Sequence, residues 1–147
     1  MVWGVGNELL SDEGIGIHLI QALRRTDLPE GVDLIEAGTA GLELLSLLEG
    51  IDRLIIVDAM AVEGQPGTVV RFRPGDVEFV PAPMMATTHD LGIVEALTSA
   101  RLLGWLPDTV IIGVIPERIE LGLELTPTLA AKLPELVHRV RNEILGE

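Results

Sequence analysis

The sequence predicts an α/β fold: a three-layer α/β/α sandwich on a five-stranded, mostly parallel twisted sheet with one antiparallel edge strand, forming one domain over residues 1–147. Three observations predict it. Short apolar runs alternate with segments of helical period along the chain, the pattern of parallel βαβ units. The run Arg53 to Val57 is almost entirely apolar, as in central parallel strands buried on both faces. Finally, only Ala59 to Gly67 separate that run from the next strand-like segment, Thr68 to Arg73, too few residues for a parallel crossover.

Each element has its own signal. Met1 to Trp3 form a first strand that reaches Gly4 and Gly6, where the backbone turns; Asn7 to Asp12 make a polar-tipped loop, and a helix follows from Glu13 to about Arg25, closed by Thr26, Asp27 and Pro29. Val32 to Ile35 are a second strand ending at Glu36. The loop Gly38-Thr39-Ala40-Gly41 leads into a second helix over Leu42 to Leu48, terminated by Gly50. Arg53 to Val57 are the third strand, ended by Asp58, and Thr68 to Arg73 the antiparallel edge. Pro74 to Met85 read as a loop suited to a lid or partner contact. A third helix spans about His89 to Gly104 with Thr87 or Thr88 as cap, Thr109 to Val114 are the fifth strand, and Ile115 to Leu125 are loop. Thr126-Pro127 then supply the cap-plus-proline start of a last helix to about Leu145.

Composition bounds the function classes. The chain has no cysteine, which excludes disulfides, thiolate ligands and a cysteine nucleophile and leaves carboxylates, histidine and hydroxyls for any chemistry. Ten basic against 23 acidic residues give a net charge of −13, which disfavours nucleic acid and anionic membranes and suits a cationic partner, although surplus acid also keeps an apolar chain soluble. No run approaches the roughly 18 apolar residues of a membrane span, and no secretory signal is visible, so a cytoplasmic protein without membrane insertion is expected.

Carboxylates Glu8, Asp12 and Glu13 cluster where the first loop empties onto a helix, at the strand ends where open α/β sheets place their ligand crevice. The same residues equally suit helix capping and dipole complementation. A dinucleotide fingerprint is rejected, because Leu9 stands where the third glycine of G-x-G-x-x-G belongs. Glu13, Asp58 and His89 all fall where strand ends meet helix starts, and two carboxylates plus an imidazole form a reasonable set for zinc or nickel with positions left open. Individually they read as a dipole partner, a loop cap and a surface histidine. His18, more than one turn past Glu13, and His138, between basic neighbours, read as solvated. Gly38, Thr39 and Gly41 suit a substrate-facing loop as well as an ordinary turn. No G-x-S-x-G elbow surrounds Ser11, Ser46 or Ser99, which argues against a serine hydrolase. From the residues alone, a metal-dependent hydrolase of a small amide or ester remains open.

The stretch Gly4-Val5-Gly6-Asn7-Glu8-Leu9-Leu10-Ser11-Asp12-Glu13-Gly14-Ile15-Gly16 resembles the opening signature of the hydrogenase maturation proteases, endopeptidases that trim the C-terminus of the nickel-iron hydrogenase large subunit. Glu36 to Gly41, Leu54 to Ala59, Thr88 to Gly92, Gly113 to Glu117 and Leu125 to Thr128 resemble further family blocks in family order, so the likeness spans almost the whole chain. It implies the same sandwich architecture, a metal-binding trio at Glu13, Asp58 and His89, and recognition of nickel already carried by the large-subunit precursor, with no organic cofactor. Asp58 or Glu36 would then move protons during cleavage. Two departures stand out: few residues precede Gly4, and the acidic position after the second strand is glutamate. A non-catalytic nickel-dependent chaperone of the large subunit is the alternative the resemblance leaves open.

Overall fold

A computed structural model describes residues 1–74 and 88–146, and for residues 88–91 the backbone alone. The predicted loop Pro74 to Met85 thus lies, past Pro74, outside the described residues, as does Thr87. Five strands, β1 (Val2–Val5), β2 (Leu34–Gly38), β3 (Arg53–Ala59), β4 (Val69–Phe72) and β5 (Asp108–Val114), form one sheet in the order β2-β1-β3-β5-β4. All neighbouring pairs are parallel except β4 on β5, the antiparallel edge.

The period of two along each strand sorts side chains into two cores. On β3, Ile55 and Val57 join Val2, Val110 and Ile112 against α1 (Ile15–Leu23) and α3 (Pro127–Leu145). Leu54 and Ile56 join Trp3 and Val5 on the opposite face, against residues 44–48 and α2 (Thr88–Leu103). Each central strand is therefore covered on both sides, which is why β3 reads as continuous apolar sequence. The layers are helix, sheet, helix. Among the described residues no helix is long and apolar enough to cross a membrane.

The second strand runs Leu34–Gly38 rather than Val32 to Ile35, in register with β1 from Val2 onward. Three further boundaries differ from the sequence expectation for identifiable reasons. β1 continues through Gly4 to Val5, because Gly4 faces α1 so closely that a β-carbon there would lie 2.2 Å from the Gly16 carbonyl oxygen. The first helix opens with a 3-10 segment, Ser11–Gly14, before turning α-helical at Ile15. The second helix is a 3-10 segment, Leu42–Leu47, rather than an α-helix. Between Gly41 and Gly50 too few residues are available to repay the cost of nucleating α-helix. It still returns the chain across the sheet for β3. In α3, Pro134 is accommodated within the helix, which runs on to Leu145.

Candidate functional site at the carboxyl ends of the strands

Gly6 is the point on which the site is built. It follows β1 at φ 125°, a left-side backbone conformation that glycine adopts without penalty. A β-carbon at Gly6 would meet the Glu13 carbonyl oxygen at 2.0 Å and lie 3.4 Å from Oδ1 of Asp58, while the Gly6 N–H donates to the Gly38 carbonyl at 2.8 Å. Hence the end of β1, the 3-10 segment that carries Glu13, the end of β2 and the side chain closing β3 all converge on one residue. Gly16 extends this packing. Its missing β-carbon would sit 2.5 Å from the Val57 carbonyl and 2.6 Å from the Val5 backbone, so the start of α1 wedges between the ends of β1 and β3.

Glu13 is buried, with 4% exposure, and Asp58 is half-buried. Oδ1 of Asp58 accepts the N–H of Ala59 at 2.8 Å, which fixes the rotamer at the strand end. Behind it, Gly113 pairs in register with Asp58, and the Met60 side chain covers that glycine closely enough to occupy the space of a β-carbon.

His89 lies in the first turn of α2, and its side chain is outside the described residues. The helix itself is placed by a glycine pair: a β-carbon on Gly92 would fall 2.7 Å from Cα of Gly41. This contact seats the first turns of α2 on the loop of Gly38, Thr39 and Gly41, and Gly38 takes φ 57° to let β2 turn into it. Thr39 is exposed in that loop. Among the described residues no three His, Asp or Glu side chains form a metal-holding group.

Glu36 is held elsewhere. Its carboxylate accepts hydrogen bonds from Nε2 of Gln21 at 3.0 Å and from Arg24 at 2.6 Å, on the C-terminal half of α1. The Arg24 guanidinium, helped by Gln21, holds this carboxyl below the usual glutamate range.

Two residues play parts that the sequence reading did not assign. Asp12, with no exposure, does not cap α1. Its Oδ2 accepts the N–H groups of Glu117 at 2.9 Å and Arg118 at 3.1 Å, and its Oδ1 accepts that of Thr126 at 2.8 Å. Thr126, expected to cap α3 with its hydroxyl, donates that hydroxyl to Asp12 instead, at 2.8 Å. His18 is not fully solvated as expected: its Nε2 is buried without a hydrogen-bond partner among the described residues, whereas His138 is exposed.

A family model described as hydrogenase maturation protease matches residues 17–143. The hydrogenase 2 maturation protease of Escherichia coli is 39% identical, over 95% of this chain and 87% of its own. The hydrogenase expression/formation protein HupD of Rhodobacter capsulatus is 35% identical over 90% of this chain, which spans 65% of HupD. Among solved structures, the hydrogenase maturating endopeptidase HybD from Escherichia coli superposes with a TM-score of 0.84 at 37% identity, covering 95% of this chain and 87% of that one. The hydrogenase 2 maturation peptidase from Thaumarchaeota archaeon SCGC_AB-539-E09 follows the same path with a TM-score of 0.74 at 33% identity, covering 99% and 96%.

Proposed function

The chain belongs to the hydrogenase maturation proteases, and from that premise we propose that this peptidase removes the C-terminal extension of a nickel-iron hydrogenase large-subunit precursor once nickel has been inserted. The observation that supports the reading is the convergence at Gly6, which brings the Glu13 backbone and the Asp58 carboxylate to one place at the carboxyl ends of β1 and β3. Glu13, Asp58 and His89 would meet the nickel that the substrate carries, with Gly38, Thr39 and Gly41 shaping the loop along which the cleaved segment passes. Oxygen and imidazole donors suit that ion.

A nickel ion so held supplies Lewis acidity for the scissile carbonyl or for an attacking water. Proton transfer falls to Asp58. Glu36 is less suited to the task, because its carboxylate is engaged by Gln21 and Arg24, whereas Asp58 reaches the convergence at Gly6. Cleavage then depends on metal loading, because the ligand set is completed by an ion the substrate brings.

The intact mass of nickel-loaded and nickel-free precursor, each incubated with this protein, tests the reading. Loss of a C-terminal peptide from the loaded form alone is the expected result. Unchanged mass in both forms, beside a competent pair as positive control, removes that precursor as substrate.

A further inference from the structure

Ser11 is the one non-glycine residue at positive φ among the described residues, at 49°. It stands two positions before Glu13, inside the four-residue turn that the Glu13 N–H closes by donating to the Leu10 carbonyl at 3.1 Å. A turn whose first central residue has positive φ is ordinarily built on glycine, asparagine or aspartate, because a β-carbon there crowds the following carbonyl oxygen. Serine in this place carries a conformational cost, and such a residue persists only where its surroundings over-determine it.

Three hydrogen bonds to the segment after β5 do so. The Ser11 N–H donates to the Gly122 carbonyl at 2.8 Å, and the Gly122 N–H donates to the Leu9 carbonyl at 2.9 Å. The Ser11 hydroxyl donates to the Glu120 carbonyl at 2.9 Å. Glycine at position 11 could keep the first two. Only the third needs a side chain, so the hydroxyl is what serine adds where glycine would be unstrained. Its surroundings are tight: Ser11 is buried, and a β-carbon on Gly122 would lie 3.0 Å from Oγ. Across the turn, the Glu13 carbonyl packs against Gly6, the point that Oδ1 of Asp58 also approaches. The turn is thus gripped between the segment after β5 and the end of β1.

We propose that Ser11 is a positioning residue for cleavage: its hydroxyl, tied to the Glu120 carbonyl, holds the turn in the strained conformation that sets the Glu13 backbone against Gly6. This rests on the function proposed above, in which Glu13 meets the metal that the substrate carries. A small displacement of such a ligand lowers the rate at the reacting centre. Docking of a whole precursor draws on more surface than this one corner and is retained.

Ser11→Gly removes the hydroxyl and the strain together, two effects that oppose one another in the fold. Its urea midpoint should stay close to that of the unaltered protein, while kcat for nickel-loaded precursor falls about tenfold and KM stays within about twofold. Gly122→Ala leaves Ser11 in place but presses on Oγ, and turning the hydroxyl away breaks its bond to Glu120. It should lower kcat severalfold alone and add nothing to Ser11→Gly. In isotope-labelled protein without precursor, Ser11→Gly should also move the amide signals of Gly6 and Ala59, which are remote from position 11 in sequence or separated from it by the turn. Unmoved signals, an unchanged kcat, a fall in kcat that only follows a fall in the urea midpoint, or additive effects of the two substitutions would overturn the proposal. If the signals move but the unaltered protein leaves nickel-loaded precursor uncut, the placing of Glu13 by Ser11 stands and the proposed function falls. If the unaltered protein cuts the precursor and Ser11→Gly cuts it as fast, the function stands and the positioning falls.

Discussion

Asp12 and Glu13, neighbours in sequence, are both buried carboxylates, and the proposed function gives a chemical part to Glu13 alone. Asp12 satisfies three backbone N–H groups and a hydroxyl, all from residues 117–126, and no part of it is exposed. Replacing it with Ala would leave the two Thr126 donors buried and unmet, each costing about 1–3 kcal/mol, while those of Glu117 and Arg118 are partly open to water, so Asp12→Ala is expected to lose about 3–5 kcal/mol in urea unfolding. The loss should appear first as faster amide exchange at Glu117, Arg118 and Thr126. Asp58 behaves in the opposite way. It is half-buried at a strand end, where its Oδ1 accepts the N–H of the next residue, Ala59. Asp58→Asn retains the acceptor oxygen and the shape but removes the charge, so circular dichroism should be unchanged while processing of nickel-loaded precursor falls by about a hundredfold or more. Processing that survives this substitution would move proton transfer to another group.

Among the elements, the central strands were legible because burial on both faces leaves a simple apolar signature, and the antiparallel edge because too little chain lies between β3 and β4 for a crossover; β2, an edge strand with mostly half-buried side chains, was placed two residues early. The 3-10 character of residues 42–47 was not legible, since its apolar spacing fits either helix and only its length decides. The duty of Asp12 was hidden for a different reason: its partners lie 105 to 114 residues downstream, and local spacing carries no trace of them. The positions of Glu13 and Asp58 at one sheet end followed from their places after parallel strands, but the separate engagement of Glu36 with Gln21 and Arg24 required the helix to be placed. Placement of α2 depends on the contact between Gly41 and Gly92. Gly92→Ala gains helix propensity of up to about 1 kcal/mol, yet its β-carbon cannot fit where the helix now sits. The expected outcome is a thermal midpoint shifted only slightly and processing reduced about tenfold or more, because the turn bearing His89 is displaced. At the far side of the sheet, Glu143 on α3 accepts hydrogen bonds from Arg53 on β3, at 2.7 Å, and from Arg71 on β4. The Arg71 hydrogen bond, with the charges of both arginines, holds this carboxyl below its ordinary value of 4.5 against the opposing effect of burial. A depressed folded-state pKa contributes stability that is present above the unfolded value and lost as pH falls through the folded one. Glu143→Gln should therefore cost about 1 kcal/mol near pH 7, since the arginines are partly solvated, and progressively less as pH falls below the unfolded value, as read by urea unfolding at each pH.

For the molecule as a whole, the net charge of −13 is spread over a surface whose exposed apolar residues, Leu9, Ile119, Leu121 and Leu123, are interleaved with Glu8, Glu117, Glu120 and Glu124 near the site. Two explanations of that acidity make different predictions. If it serves only to keep an apolar chain dispersed, the rate of processing has no reason to follow ionic strength. If it draws a basic stretch of precursor toward the site, the attraction acts over about a Debye length, which contracts from roughly 30 Å at 0.01 M salt to roughly 3 Å at 1 M. Association is then the salt-sensitive step and bond cleavage is not. Raising salt across about 0.05 to 0.5 M should lower kcat/KM for nickel-loaded precursor about tenfold and leave kcat nearly constant. Unfolding midpoints measured in the same salts separate this from loss of fold. The combined change Glu117→Gln, Glu120→Gln and Glu124→Gln should flatten the dependence, because it removes exposed charge from the segment after β5 while leaving the backbone that Asp12 holds in place. A steep dependence that persists in this variant would assign the attraction to acidic residues elsewhere on the surface.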